Sequence, residues 1–335
     1  MWLGLGYTIP HYRNISRSDI FRNPYSFDFD NDLNKDSVLR TIPGVGFTNY
    51  RFPTYVTVSC WVTLGDALFT FTGSNKNHSI VDIASANLST GYCLYVTKAA
   101  TGTFLRWSIG RQGAPGNQPP GSGGTRNQLN LTNLSTYGDA KVYHILASFN
   151  AINNESKLFI RSQDSLGNID VNLKSELSNV PGTGNILYNN TTNAFCVGNT
   201  SPSGFQEWNG KIDEVAIWTM PFGEPEADQI YNFPVNGDLL KWSNNNGYVQ
   251  NFKVWYRMGE NANFTPVDED HNIQLEYNLS DNFLISEDEE NIVTEQLGHH
   301  PGYWLLKNAV NTNPDFDLVS SNVLEEDRVD GLPKT

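Results

Sequence analysis

The feature that most constrains this chain is a series of short stretches in which apolar and polar residues alternate, separated by segments rich in Gly, Asn, Ser and Pro. Alternation over about 4–8 residues predicts half-buried β-strands, because successive side chains of a strand point to opposite faces. The predicted strands are 57–64, 91–98, 103–110, 141–150, 156–163, 194–199 and 211–218. One short helix is predicted at 224–233, where Glu224, Pro225 and Glu226 suit a first turn. The pattern indicates an all-β jelly-roll sandwich of two antiparallel sheets.

Charge and apolar content exclude two classes of partner. The 335 residues carry a formal net charge of -14, so the surface repels phosphate backbones and we predict no nucleic-acid binding. No run of about 18 apolar residues occurs, so we predict no membrane insertion. The start, MWLGLGYTIPHYRN, lacks the basic region, long apolar region and cleavage site of a signal peptide, and none is predicted.

The three cysteines point to packing, not to cross-linking. Cys60, Cys93 and Cys196 are an odd set without Cys-x-x-Cys spacing, so a disulfide framework is not indicated. Cys60 and Cys93 lie within predicted strands. We expect these thiols to act as small buried hydrophobic side chains.

Changes in composition and in apolar patterning divide the chain into three segments. Residues 1–24 are predicted to form an N-terminal arm, 25–262 the sandwich, and 263–335 an acidic C-terminal extension. The stretch 252–259 alternates and is expected to pair with the sandwich. Both arms hold apolar residues that a short segment cannot bury alone. Two alternatives stay open: the arms fold back on their own sandwich, or they hold neighbouring copies together in a homo-oligomer.

Four segments, in order, resemble laminin G-like/pentraxin domains of the concanavalin A-like lectin/glucanase superfamily. YSFDFDND (25–32) is similar to the family's opening, and YVTVSCWVTL (55–64) is similar to its "tVSaWvk" strand. VYHILASFNAINNESKLFIRSQ (142–163) resembles a family strand pair. The most specific match is 194–232, which contains KIDEVAIW and a trailing helix, as in "GkIDEvrIw". The resemblance implies a concanavalin-like sandwich over most of 25–233.

A second resemblance concerns the source. In many family members a "yWrfdE" strand precedes the opening segment, whereas here the similar VWYRMGEN (254–261) follows the helix. This permuted order, with the MWLGLG start, resembles virion structural proteins of tailed bacteriophages. A sandwich tolerates permutation because its chain ends lie close together.

Calcium is the cofactor that the acidic residues and the resemblance suggest. Asp28, Asp30 and Asp32 cluster at the opening strand, and Asp213 stands near the start of the last main strand. Family members bind calcium with acidic residues near these places, and hard cations prefer oxygen ligands. The alternative for Asp213 is a hydrogen bond to backbone N–H groups.

Glycan contacts could come from aromatic side chains or from a loop. Trp107 and Trp208 are the glycan-binding candidates, although strand alternation also predicts most tryptophans in the core. The Gly/Pro-rich stretch 111–128 is predicted to be a long loop and a recognition surface. His144 alternates with apolar residues and is predicted to be structural.

No catalytic residues are predicted. Glycosidases of concanavalin-like folds pair two carboxylates, which related glucanases carry as Glu-x-Asp-x-x-Glu. Here Lys211 occupies the first Glu position of KIDEV. Together with the missing carboxylate pair, the resemblance to tailed-phage virion proteins implies a non-enzymatic protein at the particle surface: a capsid decoration, head fibre or tail-associated subunit contacting other virion proteins. A carbohydrate-binding adhesin for host-surface glycans and a glycoside hydrolase remain the alternatives.

Overall fold

The computed structural model describes most of the predicted sandwich and parts of the C-terminal extension. The described residues are 25–29, 38–41, 47–70, 72–84, 88, 90–112, 124–135, 141–163, 169–180, 182–188, 194–199, 208–232, 238–258, 262–266, 276–277, 283–284, 302–306, 310, 318–321 and 328–330. The arm predicted at 1–24 lies outside them.

Short strands dominate the fold. In chain order they are β1 (Tyr25–Asp28), β2 (Val38–Thr41), β3 (Tyr55–Thr63), β4 (Lys76–Asp82), β5 (Tyr92–Ala99), β6 (Gly102–Gln112), β7 (Gly124–Asn130), β8 (Val142–Asn150), β9 (Glu155–Gln163), β10 (Ile169–Ser178), β11 (Thr183–Ile186), β12 (Cys196–Val197), β13 (Lys211–Trp218), β14 (Phe252–Tyr256), β15 (Ala262–Pro266), β16 (Glu276–Tyr277), β17 (Phe283–Leu284), β18 (Gly302–Leu306), β19 (Leu318–Ser321) and β20 (Arg328–Asp330). The 3-10 helices are Phe47–Tyr50, Asp66–Leu68, Thr132–Leu134 and Val249–Asn251. The α-helices are α1 (Glu224–Asn232) and α2 (Leu239–Asn245).

The strands form two large antiparallel sheets that pack face to face. Sheet A has the order β10-β9-β8-β3-β13-β1-β20, with β14 also paired to β13. Sheet B has the order β11-β6-β5-β4-β12-β2-β19-β18-β15, with β7 also paired to β6. β16 and β17 pair with each other. The predicted all-β jelly-roll sandwich is confirmed.

Alternation along the strands builds the core between the sheets. In β3, Val56, Val58, Cys60 and Val62 point inward and join one apolar cluster with the inner residues of sheet B. Cys60 and Cys93 are buried, as the sequence predicts; Cys196 is buried as well, and all three thiols are free. The alternating apolar side chains therefore specify which face of each strand is buried.

The outer face of sheet A carries a second, smaller core beneath the two helices. Trp218, Phe222, Trp242 and Phe252 pack there, with the Trp218 and Phe252 rings stacked at 4.5 Å. The predicted helix is present as α1, and α2 is an addition that the sequence reasoning missed. The Asp238 side chain caps α2 by accepting from the Lys241 N–H at 3.0 Å. Neither helix of the described part has the length and hydropathy of a membrane-spanning segment.

The C-terminal part of the chain completes both sheets, which corrects the predicted boundary at residue 262. β19 lies between β2 and β18 in sheet B, and β20 pairs with β1 in sheet A. Leu318 of β19 is buried in the main core. β15, β18, β19 and β20 therefore belong to the two sheets of the sandwich, whereas β16 and β17 form a two-stranded sheet of their own. The predicted pairing of 252–259 is confirmed, because β14 pairs with β13 from Val215 to Trp218.

Candidate functional site

The residues predicted to bind calcium are only partly described. Asp213 is buried in β13. Asp28 of β1 lies opposite Lys211 in the ladder with β13, two residues from Asp213, while Asp30 and Asp32 lie outside the described residues. Within the described ranges, no three His, Cys, Asp or Glu side chains are placed to hold a metal ion. Calcium binding by these aspartates stays a prediction.

Asp213 and Glu214 form a β-bulge that ties β13 to β14. The ladder with β3 shifts register between Asp213 and Ala216, and Glu214 has a φ of 52°. The Glu214 N–H donates to Asp213 Oδ1 at 2.7 Å, as the alternative reading of Asp213 predicts. The Glu214 carboxylate accepts a hydrogen bond from Trp255 Nε1 and lies 3.9 Å from Arg257 Nε. The bulge at Asp213 and Glu214 thus changes the direction of the β13 side chains, and the Glu214 carboxylate links β13 to the β14 segment.

His144 has the predicted structural role. Its side chain is buried on the outer face of sheet A, with Nε2 2.8 Å from Ser59 Oγ. Trp61 lies opposite it in the ladder, and the Tyr231 ring of α1 stacks on Trp61 at 5.6 Å. Burial raises the pKa of Tyr231 to about 12, so its phenol stays neutral. These rings anchor the C-terminal turn of α1 to the sheet.

A buried arginine anchors the rest of α1. Arg161 of β9 is 0% exposed, and its Nε lies 2.7 Å from Asp228 Oδ1. Glu224, at the start of α1, lies 3.8 Å from the same guanidinium and 2.6 Å from Lys174 Nζ. Both carboxylates belong to α1, so the guanidinium holds the helix at two positions one turn apart.

Trp107 and Trp208, the predicted glycan-binding residues, are both 0% exposed. They belong to the main core, where Trp107 packs at 5.7 Å from Tyr92. A sugar stacks on a ring face that solvent can reach, and neither indole offers one in this structure. Burial is the physical reason: Trp107 follows Leu105 by two positions and shares its inward face.

The predicted loop 111–128 is shorter than expected. β6 extends to Gln112 and β7 begins at Gly124, so positions 111–112 and 124–128 of the predicted loop belong to the two strands of a hairpin. Residues 113–123 lie outside the described part of the chain. The hairpin matters because it carries polar side chains on the outer face of sheet B.

Two arginines stand side by side on this outer face. In the ladders, Tyr95 lies opposite Arg106, Arg106 opposite Gln128, and Ser108 opposite Arg126. The Arg106 guanidinium donates from Nη1 to Thr97 Oγ1 at 2.8 Å. Burial lowers the pKa of Arg106, and the positive charge of Arg126 lowers it further. Arg126 therefore lies close enough for the two charges to repel each other.

The rings beside the arginines are ordered by contacts of their own. The guanidinium carbon of Arg106 lies 5.5 Å from the centroid of the Phe104 ring. Tyr95 Oη lies 3.1 Å from Ser108 Oγ, beneath the arginines. Gln128 is exposed, and Arg106 and Phe104 are half-buried. Together they form a polar and aromatic surface, named here the arginine face: Phe104, Arg106, Arg126, Gln128 and Asn130.

An acidic group lies further across the same sheet. Asp82 is opposite Cys93 on one side and Cys196 on the other. Its carboxylate accepts from the Ala84 N–H at 2.8 Å. Burial raises the pKa of Asp82 to about 7, so at neutral pH it is only partly ionised. Sequence reasoning missed both Asp82 and the arginine face, because each depends on pairings between strands.

Comparisons with known proteins give no family. Neither the protein-family models nor the curated proteins contain a match. Among solved structures, the full-length tailspike protein 2 of an Escherichia coli O157:H7 bacteriophage is similar over 68% of this chain and 26% of its own, at 14% identity and a TM-score of 0.41.

Two further structures have lower scores. The enzymatically active domain of tailspike protein 2 from bacteriophage CBA120 matches 59% of this chain and 26% of its own, at 13% identity and a TM-score of 0.36. The LG1-3 region of the laminin alpha2 chain matches 60% of this chain and 32% of its own, at 12% identity and a TM-score of 0.34. The chain spans about a quarter to a third of these structures, and such likenesses carry no functional argument.

Proposed function

We propose that the protein is a structural component of a bacteriophage particle, at the tail or on the capsid surface, whose sandwich binds a partner and does not catalyse a reaction. The observation that carries the proposal is the position of β14. The segment resembling the "yWrfdE" strand follows α1 in the sequence and pairs with β13. The resemblance to tailed-phage virion proteins depends on this permuted order, and the structure makes the order compatible with one sandwich.

The test is the composition of the particle. Particles of the phage that encodes the chain would be purified by density gradient and analysed by mass spectrometry, with quantification against the major capsid protein. We expect a fixed copy number per particle, and a homo-oligomer would appear as a multiple of a small integer. Presence in the infected-cell lysate together with absence from purified particles would refute the proposal.

The proposed absence of catalysis is tested separately. The purified protein would be incubated with capsular and cell-wall polysaccharides, and reducing ends would be counted over time. We expect no release above that of heat-denatured protein. Steady release of reducing ends would favour the glycoside hydrolase instead, and replacing Asp213 or Glu214 by the amide would then be the first step in locating the carboxylate pair.

Calcium forms part of this proposal. Asp28, Asp30, Asp32 and Asp213 would supply its oxygens, and a bound ion would stabilise the native state by mass action. Millimolar calcium is expected to raise the melting temperature, and EGTA is expected to reverse the rise. A melting temperature that is the same in both solutions would remove calcium from the proposal.

A further inference from the structure

The arginine face brings two positive charges together on an acidic protein. The chain carries 22 Lys and Arg against 36 Asp and Glu, a formal net charge of -14. Among the described residues, no carboxylate lies within 4.0 Å of either Arg106 or Arg126. Like charges held side by side without a counter-ion cost free energy, which a bound anion would recover.

Asp82, an acidic residue on the same face, does not neutralise the pair. Asp82, Cys93, Ser108 and Arg126 follow one another across adjacent strands. Three strand spacings put about 14 Å between the backbones at Asp82 and Arg126. At that separation Asp82 forms no ion pair with the arginines, and because burial raises its pKa to about 7 its carboxylate is only partly ionised at neutral pH.

The arginines are presented on a rigid surface. β6 pairs with β5 on one side and β7 on the other, with an unbroken register from Phe104 to Ile109 in both ladders. Arg106 is further fixed by its hydrogen bond to Thr97, and its buried Nε atom has no hydrogen-bond partner among the described residues. Guanidinium groups bind carboxylate, sulfate and phosphate oxygens with two parallel N–H donors.

The neighbouring side chains favour a sugar over a peptide as the bearer of the anion. Gln128 and Asn130 are exposed and point to the same face as Arg126, at alternate positions of β7. Amide side chains both donate and accept, which suits the hydroxyl groups of a sugar ring. Phe104 is half-buried and lies opposite Asn130, so a ring face could pack beside the amides. An acidic peptide would also pair with the arginines, so a polyglutamate peptide serves as the competing probe.

From this geometry we infer that the arginine face binds an acidic glycan, with Arg106 and Arg126 on the carboxylate or sulfate and Gln128 and Asn130 on adjacent hydroxyls. The inference deepens the proposed binding role by giving it a ligand class. The negative charge of the whole protein repels a polyanion at long range, so binding depends on short-range contacts at the arginine pair.

Calorimetry of the full chain would test the inference with an oligogalacturonate, its methyl ester and a sulfated galactan oligomer as probes. We expect the oligogalacturonate or the sulfated oligomer to bind, and the neutral ester to bind at least tenfold more weakly. The two acidic probes distinguish carboxylate from sulfate recognition. Raising the salt from 20 to 150 mM is expected to weaken binding severalfold, an order-of-magnitude expectation for a screened ionic contact.

Variants locate the site. Arg106→Gln and Arg126→Gln should each lower the affinity at least tenfold. Arg51→Gln, which removes the same charge beside Tyr188 instead of on this face, should leave it within twofold. Arg126 makes no hydrogen bond within the described part of the chain, so its variant should keep the wild-type melting temperature and report on binding alone.

Three outcomes would overturn the inference: equal binding of the neutral ester, unchanged affinity of Arg126→Gln, or equally tight binding of a polyglutamate peptide. Gln128→Ala should weaken binding of the acidic glycan more than any binding of polyglutamate. Particle composition is not measured in these assays, so a negative result here would remove the ligand and leave the virion assignment to its own test.

Discussion

Leu318→Ala tests whether the C-terminal strands are part of the sandwich core. Leu318 is 0% exposed and lies opposite Thr41 of β2 and Leu306 of β18. Removing a fully buried leucine side chain costs about 2–5 kcal/mol, the sum of lost apolar transfer and an unfilled cavity. We therefore expect the free energy of unfolding to fall by about 2–5 kcal/mol relative to the wild type.

Urea unfolding followed by tryptophan fluorescence would measure this loss, because Trp107 and Trp208 are buried in the same core. Leu187→Ala is the matched control: Leu187 is 38% exposed, so its truncation should cost less than about 1 kcal/mol. Equal losses for the two variants would refute the assignment of Leu318 to the core. Deleting residues 318–335 would uncover the edges of β1 and β2, and we expect that protein to aggregate.

Three further perturbations address particular contacts. Asp82 has a pKa raised from 3.8 to about 7 by burial, so its ionisation opposes folding as the pH rises from 4 to 7. Between pH 4 and 7 the wild type should lose up to about 4 kcal/mol of its free energy of unfolding through this ionisation, and Asp82→Asn should not show that loss. Urea unfolding curves of both proteins at pH 4 and pH 7 would measure the difference. Asp228→Asn leaves the buried Arg161 with a weaker partner and should cost about 1–3 kcal/mol in urea, less at high salt, whereas an unchanged midpoint would mean that α1 does not depend on this pair. Gly91→Ala should unfold far more easily than Gly73→Ala, because an added Cβ at Gly91 would meet a backbone oxygen at 2.3 Å and at Gly73 would meet nothing within 4 Å; equal melting temperatures would contradict this.

The strands of the sandwich were predictable because alternation is a local signal. β3, β8 and β13 were placed within about two residues of their observed bounds, as expected of element ends. The C-terminal strands β19 and β20 are four and three residues long, too short for a period to show. Their place is set by pairing with β2 and β1, far away in the sequence.

The candidate site residues were also predictable where the signal is local, and not where it depends on pairing between strands. The inward face of Trp107 could have been predicted, because it alternates in phase with Leu105 and Ile109 of β6. The approach of Arg106 to Arg126 could not, since it depends on the register of the β6–β7 hairpin across an eleven-residue connection. Residue spacing within a strand predicts which face of the sheet a side chain lies on, but only the register between strands predicts which side chain lies next to it.

The pairing of β1 with β20 also determines how the fold responds to force. Tyr25 lies opposite Asp330 in an antiparallel ladder, so the start of β1 and the end of β20 lie side by side. A load applied across these two residues would break the ladder hydrogen bonds one pair at a time, like a zipper, and β20 would peel away before the central strands felt tension. The fold therefore yields early when it is pulled through Tyr25 and Asp330, because only the edge ladder of β1 and β20 opposes that load.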